Sequence, residues 1–210
     1  MPRVIRQIWV ASLRNNWALY LVVILFLVIG MGMGVWSAGS LEGEQVNELQ
    51  AYITTLFSET PAEGLHGTAI LKAATFENLV FFGAVYFAGL SVIGAPVMLA
   101  LIFVRGFALG FAASLIIGRQ GLPGILLACA SLLPQNIILL PAMIFAGVAA
   151  LSFSLLLVRR GFNPRVTVWS NFLRYTAAIC ASLSVAIGSG LVEAFVSPYL
   201  LRAALAVCWQ

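Results

Sequence analysis

From residue 76 to residue 158 the chain is almost continuously apolar, with charge only at Glu77, Arg105 and Arg119. A soluble domain cannot bury a run of this length and still cover its surface, which ordinarily takes about 25% charged residues. Of the 210 residues here, 9% are charged and 62% are apolar, and every acidic residue is Glu. These proportions exclude a soluble enzyme, a disordered chain and a disulfide-stapled secreted scaffold. They leave an integral membrane protein of one compact domain.

The formal charge of +4 is spread along the chain, with Lys present once, at Lys72. Without a basic cluster it does not mark a nucleic-acid partner; arginines placed this way orient helices in the lipid bilayer. Cys129, Cys180 and Cys208 lie in or beside apolar runs with no CxxC spacing. They read as small buried hydrophobes, neither a bridge nor a metal site.

Arg3, Arg6 and Arg14 precede an apolar run over 17–36. About 20 residues is a full bilayer crossing, longer than the ~7–15 of a signal-peptide core, so this run reads as an uncleaved first span. The polar stretch 37–75 follows, holding Glu42, Glu44, Glu48, Glu59, Glu63 and His66, the sole histidine. Within it Val46, Leu49, Ile53 and Phe57 recur at helical spacing between polar neighbours. That pattern predicts an amphipathic helix of about three turns, either resting on the membrane or protein surface or docking an extracytoplasmic partner.

Breaks in the long apolar run must be found from Pro, Gly and charge. A turn at Ala95-Pro96 gives two spans of natural length, 76–94 and 97–118, whereas a turn at Arg105-Gly106 leaves a short third span. The first division is preferred. Arg119 to Gly124 is an exit from the bilayer, and the next run, 125–158, would measure about 51 Å as one helix, too long for a ~30 Å core. Pro134-Gln135-Asn136 is the expected interruption. Residues 125–133 then form an interfacial or re-entrant half-helix, with a full span from 137 to 158 and Pro141 near its start. A last span covers 175–195. The predicted fold class is all-α: one polytopic membrane helix bundle of about five spans, 17–36, 76–94, 97–118, 137–158 and 175–195, with 37–75 extracytoplasmic.

Five crossings with a cytoplasmic N-terminus place Arg3, Arg6, Arg14, Arg105, Arg159, Arg160, Arg165 and Arg174 inside. Lys72, Arg119 and Arg202 fall outside, and all the Glu, including Glu77 and Glu193, lie at or near the outer face. This satisfies the positive-inside rule.

Catalytic chemistry has little to work with. His66 is the only imidazole, no HExxH or GxSxG exists, and Ser182 and Ser184 have no histidine in their span. No catalytic residues, metal or cofactor are expected. Three features remain. Amides at membrane depth are costly unless bonded, so Pro134, Gln135 and Asn136 mark either a wetted helix break or an interior polar contact. Arg105, about 12 Å up the third span, either snorkels or pairs with that interrupted segment. Gly30/Gly34 and Gly106/Gly110 allow close helix approach.

The runs GLSVIGAPVMLALIFVRGFALGF and LLPQNIILLPAMIFAGVAALSFS, with the single first span and short outer loop, resemble the stage II sporulation protein M family. The resemblance rests on Gly94, Pro96, Arg105-Gly106, Gly110, Pro134-Gln135-Asn136 and Pro141 in this order. Broader relatives tend to carry His-Gly after the proline and a downstream Glu. Gln135-Asn136 here resembles the sporulation branch instead. The resemblance implies a non-enzymatic anchor at the sporulation septum on the mother-cell side. Its partners would be the peptidoglycan-degrading stage II sporulation proteins D and P, and its role septal wall thinning and engulfment. The competing reading is a transporter or permease subunit with a broken-helix substrate site near 134–141. The lack of an inverted repeat, and of acidic residues away from the ends of the predicted spans, speaks against it.

Overall fold

The computed structural model describes residues 2–41, 67–120, 122–162 and 168–195. The predicted helix bearing Val46, Leu49, Ile53 and Phe57 lies outside the described residues, as does the tail beyond 195. The described chain forms five helices: α1 (Pro2–Gly39), α2 (Gly67–Gly89), α3 (Gly94–Gln120), α4 (Leu122–Phe162) and α5 (Trp169–Phe195). Four of them contain stretches long and apolar enough to cross a membrane: Asn16–Gly39, Gly94–Gly118, Leu132–Gly161 and Trp169–Val192. The 23-residue α2 is not among these, since Lys72, Glu77 and Asn78 lie along it, yet it packs against α3, α4 and α5. The result is an all-α polytopic bundle.

Local chemistry sets the helix ends. Asn16 leaves helical backbone (φ −123°, ψ 24°), separating the arginine-bearing start of α1 from its apolar remainder. Ser40 closes α1, its amide reaching the carbonyls of Trp36 and Ser37 and its hydroxyl donating to Ser37 O at 2.9 Å. The chain turns at residues 90–93, where the Ile93 amide donates to Ser91 Oγ at 3.3 Å. A Cβ at Gly94 would collide with the Ala88 carbonyl, so the tightness of this turn depends on that glycine. Pro96 and Pro123 sit in the first turns of α3 and α4, where a missing N–H does no harm. Arg105-Gly106 lies inside α3.

Successive helices alternate in direction. Asn78 meets Ala186 while Tyr175 meets Tyr86, so α2 and α5 are antiparallel. Leu27 faces Gly106 and Met31 faces Gly110, so α1 and α3 run parallel. α4 touches all four other helices, and over half of its most apolar window is buried, against a third or less for the other three spans. Val23, Phe82, Met98, Ile102 and Met143 form the core around it, each almost fully buried. At one end, stacked rings of Phe153, Tyr175 and Tyr86 join α4, α5 and α2, with centroids 4.7 and 5.4 Å apart. The Tyr175 hydroxyl donates to Tyr86 O at 2.8 Å, a carbonyl in the last turn of α2 that also accepts from the Leu90 amide.

Two expectations are corrected. α4 runs unbroken through Pro134 and Pro141, so residues 125–133 are the beginning of one 41-residue helix and form no separate half-helix. Helices in lipid tolerate proline where nearby groups satisfy the freed backbone. In the turn after Pro134, Asn136 Nδ2 donates to Leu132 O at 2.7 Å, which bonds the buried side-chain amide of Asn136. Cys129 and Cys180 are exposed, so they face outward among the apolar residues of the bundle surface and not into its core. Cys208 lies outside the described residues.

The flagged glycines lie in one contact between α1 and α3. A Cβ at Gly30 or Gly34 would strike the carbonyls of Phe103 or Phe107, and one at Gly106 or Gly110 those of Leu27 or Met31. Ser114 extends the same row, its hydroxyl 3.5 Å from Val35 O. Replacing Gly106 by Leu should therefore force α1 and α3 apart and cost about 2 kcal/mol or more. Gly32→Leu, at a position with open space around it, should leave the thermal midpoint of the detergent-solubilised protein nearly unchanged.

Candidate functional site

Arg105 lies about 16 Å along α3 from Gly94 and about 20 Å from Gly118 at 1.5 Å per residue, near mid-depth of the bundle. A cation at that depth costs about 2.5–3.5 kcal/mol on insertion scales unless it is paired. The structure supplies the pair. Arg105 Nη1 is 3.6 Å from Glu77 Oε2 on α2, Nη2 donates to Asn78 Oδ1 at 3.3 Å, and the guanidinium lies 5.6 Å from the Phe81 ring centroid. Arg105 thus neither snorkels nor bonds the carbonyls of the 134–136 segment, the two readings the sequence left open.

Glu77 was expected at or near the outer face, at the very start of the span 76–94. Instead α2 starts at Gly67, which puts Glu77 about 15 Å along the helix and level with Arg105. The physical reason is that residues 67–75 are apolar enough to continue the helix downward, with Lys72 exposed on its outer side.

Asn78 is 1% exposed and carries the polar contact across α2. Its Oδ1 accepts from Arg105 on α3, and its Nδ2 donates to Ala186 O on α5 at 3.0 Å. The hydroxyl of Ser189 donates to the same Ala186 carbonyl at 2.7 Å. Buried amides are affordable only when bonded in this way. Sequence reasoning applied the membrane-depth rule to Gln135 and Asn136 but missed Asn78; the signal was there, in a Glu-Asn dipeptide at the head of an apolar run.

Behind the ion pair is a cavity of about 150 Å³ that Glu77 and Arg105 share with Gln135, Asn136, Leu139 and Met143. This places three of the flagged residues, Arg105, Gln135 and Asn136, around one space. Pro134 is half-buried on the same helix and Pro141 is exposed. Gly106 and Gly110 belong to a different face of α3, against α1, so the Arg105-Gly106 dipeptide serves two interfaces at once. In front of the pair, a groove of about 480 Å³ runs between α2 and α3, lined by Phe76, Val80, Phe81, Leu101 and Val104. Glu77 is 67% exposed here and Arg105 28%.

Donors and acceptors in this arrangement hold a hydrogen-bonding group or position neighbouring helices. Among the described residues, no group of three His, Cys, Asp or Glu could hold a metal. Ser182 and Ser184 donate to the carbonyls of Ala178 and Cys180 one turn back, each at 2.9 Å. Removing one partner of the pair strands the other in an apolar layer. Arg105→Gln and Glu77→Gln should each destabilise the bundle by about 1–3 kcal/mol, and the double variant by less than their sum, with a coupling of ~0.5–3 kcal/mol. Thermal unfolding of the four proteins in one detergent measures that cycle.

No curated protein and no solved structure matches the chain. The family model for Stage II sporulation protein M matches residues 22–198, from the first apolar span to just beyond α5. With that match across most of its length, and with the polytopic helical bundle described above, the chain belongs to the stage II sporulation protein M family.

Proposed function

We propose that this chain is a non-enzymatic membrane scaffold that anchors peptidoglycan hydrolases at the sporulation septum. The family match over residues 22–198 carries the reading. On this reading the partners are stage II sporulation proteins D and P, held on the mother-cell side so that septal wall is thinned and the engulfing membrane advances. The bundle supports it in kind: α4 makes contact with every other helix, and a rigid support for partner proteins needs a frame of that sort. The permease alternative rested on a broken helix near 134–141. Since α4 runs unbroken through both prolines, that alternative loses its motive.

The proposed orientation is N-terminus cytoplasmic and C-terminus extracytoplasmic, with the 37–75 segment outside, where wall enzymes work. Two tests follow. A cysteine at position 162, in a background where native cysteines are replaced, should react with an impermeant reagent only after the cells are permeabilised; labelling of intact cells overturns the orientation. Purification of the native complex from sporulating cells should recover two wall hydrolases. Leu49→Glu with Ile53→Glu should reduce that recovery while the protein remains inserted. Full recovery from the doubly substituted chain rules out docking through Val46, Leu49, Ile53 and Phe57, and absence of any hydrolase from the wild-type complex overturns the scaffold reading.

A further inference from the structure

The carboxylate of Glu77 presents an unresolved problem in the isolated bundle. It is 67% exposed at mid-depth, on an outer face where lipid tails offer no hydrogen bond. Its contact with Arg105, 3.6 Å, is longer than the ~2.7–2.9 Å of a close charge-assisted bond, so both groups keep bonding capacity. A guanidinium has five N–H donors and a carboxylate about four acceptor sites. The contacts made by Arg105 to Glu77 and Asn78 use only part of that set.

We propose that two copies of this chain associate through the groove between α2 and α3, with Glu77 of each copy bonded to the other copy's Arg105. The argument is one of symmetry. Two copies inserted in the same orientation are related by a two-fold axis along the membrane normal, and such an interface brings the same patch of each copy together. Residues at equal depth then face one another. A lone cation or a lone anion would be repelled by its own image. A cation and an anion side by side at one level, as Arg105 and Glu77 are, match theirs. The interface closes into a ring of four alternating charges, each with two opposite neighbours, and no lipid reaches it. A different protein would have to bring both charges at the same depth to do as well.

The rest of the groove suits this occupant. Phe76, Val80 and Val104 are exposed beside the charges and supply apolar contact area. Ala84 and Ala108 line the same groove, and small side chains there let helices approach. The α1–α3 glycine interface is on a different face of α3 and is already filled, so association leaves it intact. The inference goes beyond the scaffold reading and stands without it.

The test uses the full chain in a bilayer. Two differently tagged variants, Glu77→Lys and Arg105→Glu, are expressed separately and together. Each alone carries two like charges in the groove and should lose self-association by about tenfold. Together they should recover each other on a tag pull-down at close to the wild-type level, because one supplies two cations and the other two anions. Pairing within one chain cannot produce that rescue. As a check that needs no charge change, Val80→Cys in a chain whose three native cysteines are replaced by Ser should form a disulfide-linked dimer on mild oxidation. Leu25→Cys, exposed on α1, should not. Single copies of the wild-type chain by light scattering in detergent and by subunit counting in vesicles, or equal crosslinking at both positions, overturns the proposal. So does failure of the mixed pair to associate while the wild-type chains do.

Discussion

Lipid tails are as apolar as leucine, so helices inside a membrane gain little by burying apolar surface against one another and must associate through close packing and hydrogen bonds. The parallel contact of α1 and α3 answers that constraint most directly. Four glycines in two pairs, Gly30/Gly34 and Gly106/Gly110, bring each backbone against the carbonyls of the other helix. With α3 seated there, the sharp turn at residues 90–93 returns α2 beside it, and Ser154 Oγ on α4 donates to Ser91 O at 2.9 Å to hold the turn. The Phe153–Tyr175–Tyr86 stack then fixes α5 at the same end.

Rotation of α3 about its axis is set by the same contact. Because Gly106 must face α1, its neighbour Arg105 is carried about 100° around the helix and meets α2. The polar chain from Arg105 through Asn78 to Ala186 thus ties three helices at the depth where a stray polar group would be most costly. Packing and polarity are coupled: a shift at the glycine face would misplace the guanidinium.

Much of this was legible in residues alone. The apolar runs gave the membrane and the all-α class, Gly30/Gly34 and Gly106/Gly110 were flagged for close approach, and Arg105, Gln135 and Asn136 for polar contact at depth. What the residues could not say is which glycine pair meets which, since pairing is a three-dimensional fact. Two rules also misled. Charge was taken to mark the end of a span, which started the second span at residue 76 and put Glu77 at the outer face; helices in fact carry charge inward when a partner waits at the same level. Proline was taken to break a helix, a rule weighted for water, where a freed carbonyl is satisfied by solvent. In lipid the helix is held through both prolines. Asn78 escaped notice because it sits next to a Glu already assigned to the exterior.

A membrane potential acts on any net charge placed within the bilayer, with about 2.3 kcal/mol of work per elementary charge per 100 mV for a full crossing. Arg105 and Glu77 sit level with each other, so their contributions cancel and the described bundle holds no net charge at mid-depth. The pair adds no net charge for a voltage to act on at that depth. A collapse of the membrane potential would therefore exert no net pull on the polar layer that joins α2 and α3.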